Sequence, residues 1–205
     1  MTPRRGVLDA SVLYPEPLCS LLLWIAAQGA LDPFWTERIL DETSRNLLEE
    51  RALSPEQWER LRAAMLASFP DAMLDQAAAD AIEHEMPNHE KDRHVLAAAV
   101  AGHVELVVTN NLKHFKQADL KGVGVHVLHP DQFLCELLDA SPSFVMEALE
   151  NHAATMRNPS QWSVAELLGR LTGLGHGDAL APRFAKAAAT KLDIQMAAPP
   201  DRSGM

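Results

Sequence analysis

The fold is decided by one stretch, Asp92-Arg93-His94-Val95-Leu96-Ala97-Ala98-Ala99-Val100-Ala101-Gly102-His103-Val104-Glu105-Leu106-Val107-Val108-Thr109-Asn110-Asn111. Val95 to Ala101 is rich in alanine, the strongest helix former, and stops at Gly102. Glu105 to Thr109 is short, apolar and β-branched, the composition of a strand buried on both faces of a parallel sheet. A polar turn, Asn110 to His114, follows it. Strands separated by helices build an α/β fold.

The same alternation extends in both directions. Gly6-Val7-Leu8-Asp9 is a second buried strand, closed by an acid. Leu18 to Ala30 has helical length and ends at a break, Asp32-Pro33. Thr36 caps a helix whose apolar residues, Ile39, Leu40, Thr43, Leu47 and Leu48, recur at helical spacing. Ser54-Pro55-Glu56-Gln57 opens another helix, with a serine cap, proline at the first position and Gln57 completing a capping box. Pro70-Asp71 starts a weaker helix to about Ile82, and Glu83 to Lys91 reads as a loop. On the other side, Val123 to Leu128 is a strand and Pro130-Asp131 opens a helix through Phe133, Leu134, Leu137 and Leu138. Ala140-Ser141-Pro142-Ser143 marks a boundary, giving a domain over 1–139 and a strand-free helical extension over 140–205. The extension has helical periodicity around Val145, Leu149 and Met156, around Trp162 to Leu171, and from Phe184 to Leu192. Gly173, Gly175 and Gly177 read as a hinge, and the tail from Ala197 as frayed. The expected architecture is a three-layer α/β/α fold around a central parallel sheet, with a C-terminal helical extension.

Composition narrows the function. The chain has 205 residues, 47% hydrophobic and 22% charged, as ordinary globular proteins do. Its 18 basic and 28 acidic side chains leave a net charge of -10. Residues 1–130 hold 12 basic and 19 acidic groups, so neither half attracts nucleic acid or anionic lipid as a whole. Contact with RNA must then be local and sensitive to salt. Two cysteines, Cys19 and Cys135, exclude a disulfide scaffold and read as core thiols. Asp9, Pro15, Glu16 and Pro17 interrupt any signal-like start, and Leu18 to Ala30 is too short to cross a bilayer. A cytoplasmic protein without membrane contact is expected. The tryptophans lie in apolar periodic stretches and read as packing residues. Gly173 to Gly177 lacks the strand and Lys-Ser/Thr of a phosphate loop.

In an open parallel sheet, ligands gather at the carboxyl ends of the strands. Asp9 and Asn111 arrive there, and the preceding loop brings Asp92 close. Converging carboxylates repel unless a hard cation binds, and oxygen ligands suit Mg2+ or Mn2+. The bland readings are a helix cap for Asp92 and an exposed residue pairing with Arg38 or Arg45 for Glu42. Ser11 excludes a haloacid-dehalogenase-like phosphatase, which needs a second Asp there.

Four segments then carry a resemblance: Val7-Leu8-Asp9-Ala10-Ser11-Val12-Leu13, Leu40-Asp41-Glu42-Thr43-Ser44-Arg45-Asn46-Leu47, Lys91-Asp92-Arg93-His94-Val95-Leu96-Ala97-Ala98-Ala99 and Val107-Val108-Thr109-Asn110-Asn111-Leu112-Lys113-His114-Phe115. In that order they resemble a PIN domain, most closely the VapC-type toxins of toxin–antitoxin pairs, over roughly residues 5 to 138. Residues 143 to 195, with Trp162 and Pro182-Arg183-Phe184-Ala185, look like the helical extension of a VapC-type subgroup. The resemblance implies a metal-dependent endoribonuclease that leaves a 5′-phosphate and a 3′-hydroxyl. Asp9, Glu42 and Asp92 match acids that hold Mg2+ or Mn2+, and Asn111 matches a fourth catalytic position, often Asp. Arg93, Ser11, Thr109 and Lys113 are the expected substrate contacts. His114 stands where relatives often carry Asp and reads as a surface residue.

The implied partners are RNA, a cognate antitoxin and a second copy of the chain. Leu18 to Ala30 and the helix holding Ile39, Leu40, Thr43 and Leu47 are the expected walls of the antitoxin groove. The competing readings are a catalytically weak or inactive PIN module that binds RNA or a protein, and a nuclease acting on DNA.

Overall fold

The computed structural model describes residues 2–50, 53–156, 161–173 and 179–197. Its elements are β1 (Arg4–Leu8), α1 (Ala10–Leu13), α2 (Leu18–Ala27), β2 (Leu31–Phe34), α3 (Glu37–Glu49), α4 (Pro55–Ser68), α5 (Gln76–Ile82), α6 (Arg93–Ala101), β3 (Leu106–Val108), β4 (His126–Leu128), α7 (Pro130–Ala140), α8 (Pro142–Thr155), α9 (Val164–Leu171) and α10 (Pro182–Lys191). Short 3-10 turns cover Glu83–Glu85, Glu90–Asp92 and Leu112–His114. Two compact units result, one of residues 1–14 and 29–129, the other of 15–28 and 130–205.

The first unit is an α/β fold on a four-stranded, wholly parallel sheet of order β2-β1-β3-β4. The central strands β1 and β3 pair Leu8 with Val108, and all three residues of β3 are buried. Helix α6 packs on both. Its Ala97, Ala98 and Ala99 are fully buried, and their small side chains let the helix lie close to the sheet.

Several expectations are corrected here. Asp32-Pro33 is not a break but part of β2, an edge strand, where a proline without an N–H costs no ladder bond. Residues 70–75 are not helical: the Trp35 N–H donates to Ala72 O (3.0 Å) and the Leu74 N–H to Trp35 O (2.9 Å). Asp75 caps the later helix α5 through the N–H groups of Ala77 and Ala78. Gly102 ends α6 with an ordinary φ of -82, so left-handed freedom is not why glycine stands there. A Cβ at that position would meet Leu74 at 2.7 Å. The Thr36 cap and the Ser54/Gln57 capping box form as the sequence predicts.

The second unit contains α2 and α7 to α10, with no strand among its described residues. Although the sequence places α7 before the boundary, α7 groups with the C-terminal helices. It packs on α8 and α10, and Asp131, a buried residue of α7, supplies one tie. Its carboxylate accepts the Phe184 N–H (2.7 Å) and the Arg183 N–H (3.2 Å) at the start of α10, where unpaired donors favour an anion. Lys191 Nζ closes the other end on Leu138 O (3.3 Å) and Asp139 (3.0 Å). Helix α2 packs on α8. Gly173 sits in a turn at φ 84, whereas Gly175, Gly177 and the tail after Ala197 lie outside the described residues.

The proposed groove walls are also corrected. Leu18, Leu21, Leu22 and Ile25 of α2, and Ile39, Leu40, Thr43 and Leu47 of α3, are buried within the chain itself. Their periodicity reports the protein's own core. Among the described residues no helix is long and apolar enough to cross a membrane.

Candidate metal centre

Asp9 follows β1 directly, with a non-helical backbone (φ -68, ψ 151), and its N–H donates to Val108 O (3.1 Å). The parallel register therefore places Thr109, the residue after β3, beside it. Thr109 Oγ1 (2.5 Å) and Ser11 Oγ (2.6 Å) both donate to Asp9 Oδ2, so Oδ1 stays outside this network. Asn110 braces the loop: its N–H donates to Ser11 Oγ (3.0 Å) and its Nδ2 to Ser11 O (2.6 Å). The Asn111 N–H donates to Thr109 Oγ1 (3.0 Å), which places the half-buried Asn111 next to the same strand end.

Glu42 comes from α3, which packs on the short α1 that follows Asp9. It is half-buried, and its Oε2 lies 3.3 Å from Nε2 of the buried His94, an ion-pair approach without hydrogen-bond alignment. Among the described residues Glu42 makes no ion pair with Arg38 or Arg45, the bland reading, and Arg38 pairs with Glu83 instead. Asp92 ends the 3-10 turn before α6 and is buried, yet its side chain makes no cap hydrogen bond. Its Oδ2 accepts the Nδ1–H of His114 at 2.9 Å. The main chain of Asp92 is tied by Asn88, whose Nδ2 donates to Asp92 O (3.0 Å). His114 is thus a buttress of Asp92 rather than a free surface residue. Arg93 is half-buried with Nε donating to Asn88 O (3.3 Å), and Lys113 is exposed.

The electrostatics show that Asp9 senses the other two acids. Burial pushes the Asp9 carboxyl above its usual range; the Ser11 and Thr109 hydrogen bonds oppose this, and the Asp92 and Glu42 charges reinforce it. His94 holds the Glu42 carboxyl below its usual range against burial, helped by Arg45 and Arg38. Among the described residues neither lysine nor arginine makes an ion pair with these acids. Three carboxylates and a carboxamide are the donor set of a hard divalent cation, so the residue types fit one. As the side chains stand, however, no three acids, histidines or cysteines among the described residues close to metal-binding distance. Each acid instead rests one oxygen on its own buttress. The cysteines lie outside this site: Cys19 is buried with its thiol pushed well up, and burial raises that of the half-buried Cys135.

Sequence reasoning missed His94, Asn88 and Asn110. Their signal was adjacency to Asp92 and Asn111; their role depends on which way each side chain turns.

Residues 5–113 match the PIN domain family, and residues 130–190 match the VapC50 C-terminal domain. A Mycobacterium tuberculosis protein named "Putative ribonuclease VapC50" is 57% identical over 54 residues. That match spans 26% of this chain and 32% of the relative, about a third of its length. No solved structure matches the chain.

Proposed function

The chain belongs to the PIN domain family, and from that premise we propose that it is a divalent-metal-dependent endoribonuclease, the toxin of a toxin–antitoxin pair. One observation carries the reading. Asp9, Glu42 and Asp92 each have one carboxylate oxygen engaged by a neighbouring side chain and the other outside that contact. Partners that fix one oxygen orient a ligand while leaving its second oxygen for a cation. The similarity to a protein named as a ribonuclease supports RNA as the substrate.

In this proposal Asp9, Glu42 and Asp92 hold Mg2+ or Mn2+, and Asn111 offers a neutral fourth oxygen. The ion, when bound, makes water nucleophilic toward the scissile phosphate and offsets charge on the leaving oxygen. Ser11 and Thr109 act on Asp9, and their hydrogen bonds oppose the rise that burial imposes on its carboxyl. They were expected to touch substrate, and their hydrogen bonds to Asp9 support a positioning role instead. His94 and His114 orient Glu42 and Asp92. Arg93 and Lys113 are the proposed phosphate contacts; with Nε on Asn88, Arg93 keeps its terminal nitrogens for an anion. Only three formal charges are present, so a second ion would depend on substrate phosphates to complete its shell.

The test is cleavage by the purified chain of RNA and DNA in parallel, with Mg2+, Mn2+ or EDTA. RNA is cut only with metal, and Asp9→Asn or Asp92→Asn abolishes cutting while the far-UV spectrum is unchanged. Full activity in both variants would falsify the metal-site assignment; no cleavage by the wild type under any condition favours the inactive binding module. We also propose a homodimer and a cognate antitoxin. Co-expression with the adjacent reading frame should give a complex lacking ribonuclease activity, and a free, active chain would count against that partner.

A further inference from the structure

We propose that the stacked imidazoles of His89 and His114 form a platform for a base of the RNA substrate, immediately beside Asp92. The rings lie 4.3 Å apart, centroid to centroid, and within 16° of parallel. His114 is half-buried behind the pair, while His89 is exposed in front. The stack is built rather than incidental, because hydrogen bonds orient both rings and join their loops. The His89 N–H donates to His114 O (3.0 Å), the Lys91 N–H donates to His89 Nδ1 (3.3 Å), and His114 Nδ1 donates to Asp92 Oδ2 (2.9 Å). A flat, pre-oriented ring with an exposed face binds a base at little entropic cost, and every base has a face to offer.

The surroundings favour a nucleotide. Leu112, two residues before His114, is one of the few large apolar side chains exposed among the described residues, at 39%. Lys91 and Lys113 are exposed and flank the two histidines in sequence. A chain of net charge -10 gains little affinity from phosphate contacts alone. Stacking does not depend on the sign of that charge. The platform also joins binding to positioning, since His114, the ring behind His89 in the stack, is the one that holds Asp92.

This inference rests on the nuclease reading, and a binding experiment separates the two. Equilibrium binding of the full chain is measured in Ca2+ at low salt. The probes are a short labelled oligoadenylate and an abasic ribose-phosphate chain of equal length. The wild type should prefer the oligoadenylate by roughly tenfold. His89→Phe, which keeps a ring but loses the acceptor for Lys91 N–H, should retain that preference. His89→Asn, which keeps an acceptor but has no ring, should lose it, with affinity for the abasic chain unchanged; His89→Ala should behave likewise. A preference equal in wild type and His89→Asn, none in the wild type, or one kept by His89→Asn and lost by His89→Phe would overturn the platform. Cleavage in Mg2+ is scored separately. A ring-dependent preference without cleavage supports the platform and counts against the nuclease reading; cleavage without any base preference counts against the platform alone.

Discussion

At the scale of single residues, the site is a set of carboxylates each handled differently. Asp9 is the most buried, and its folded-state carboxyl is raised. A raised acid binds more protons folded than unfolded, so its ionised form costs stability as pH climbs above the ordinary carboxylate range. Asp9→Asn should therefore raise the melting temperature at neutral pH in EDTA, and saturating Mg2+ should shrink or reverse the gain. Calorimetry in both conditions checks this; a lower melting temperature in EDTA would mean that Asp9 is not strained by its surroundings. Thr109→Val removes a donor that favours the ionised form, and we expect roughly 10- to 100-fold weaker metal binding. Asn111→Asp should tighten Mg2+ binding by added Coulomb attraction. Unchanged affinity by titration calorimetry would place Asn111 outside the ion's reach.

At the scale of elements, two helix contacts in the second unit carry testable energy. Asp131→Ala leaves the N–H groups of Arg183 and Phe184 without their carboxylate and should cost about 1.5–3 kcal/mol. Asp131→Asn keeps an acceptor and should cost less; equal losses in urea unfolding would point to packing rather than hydrogen bonding. The α2–α8 contact holds a buried histidine. His152 Nε2 lies 2.7 Å from Ser20 Oγ, whose hydroxyl donates to Glu16, so the ring carries its proton on Nε2 and its buried Nδ1 has no hydrogen-bond partner. Burial pulls its pKa from 6.5 to about 4. Between those values the unfolded chain takes up a proton that the folded one refuses. Stability is constant above pH 6.5 on this account and falls by roughly 3 kcal/mol toward pH 4. His152→Gln should flatten that slope in unfolding titrations, and an unchanged slope would assign it to other groups.

At the scale of the whole molecule, the net charge of -10 decides how RNA can be held. The acidic surface led the sequence reading to expect salt-sensitive binding, but with only a few phosphate contacts the dependence should be shallow, a slope near the number of basic side chains engaged. If Arg93 and Lys113 are those side chains, log-log plots of affinity against salt should fall with a slope of about 2 or less. A slope several times steeper would require a basic surface elsewhere on the chain.

Local chemistry was sufficient to read much of this protein from its residues. Buried strands such as Val7-Leu8 and Leu106-Val107-Val108 announce themselves by unbroken apolar side chains, and Ser54 and Thr36 form their caps with neighbours only three residues away. Three acids near strand and helix ends followed from the same pattern. What the sequence left open is what depends on side-chain direction and on partners distant in the chain. Asp32-Pro33 looks like a break until β1 lies beside it as the inner neighbour of an edge strand. Asp92 looks like a cap until His114 takes its Oδ2, and His89 looks like a loop histidine until it lies flat on that ring. Those pairings join loops that only the packing of α6 against the sheet brings together. The tertiary structure decided them, because a side chain's partner is set by three-dimensional distance and not by spacing along the chain.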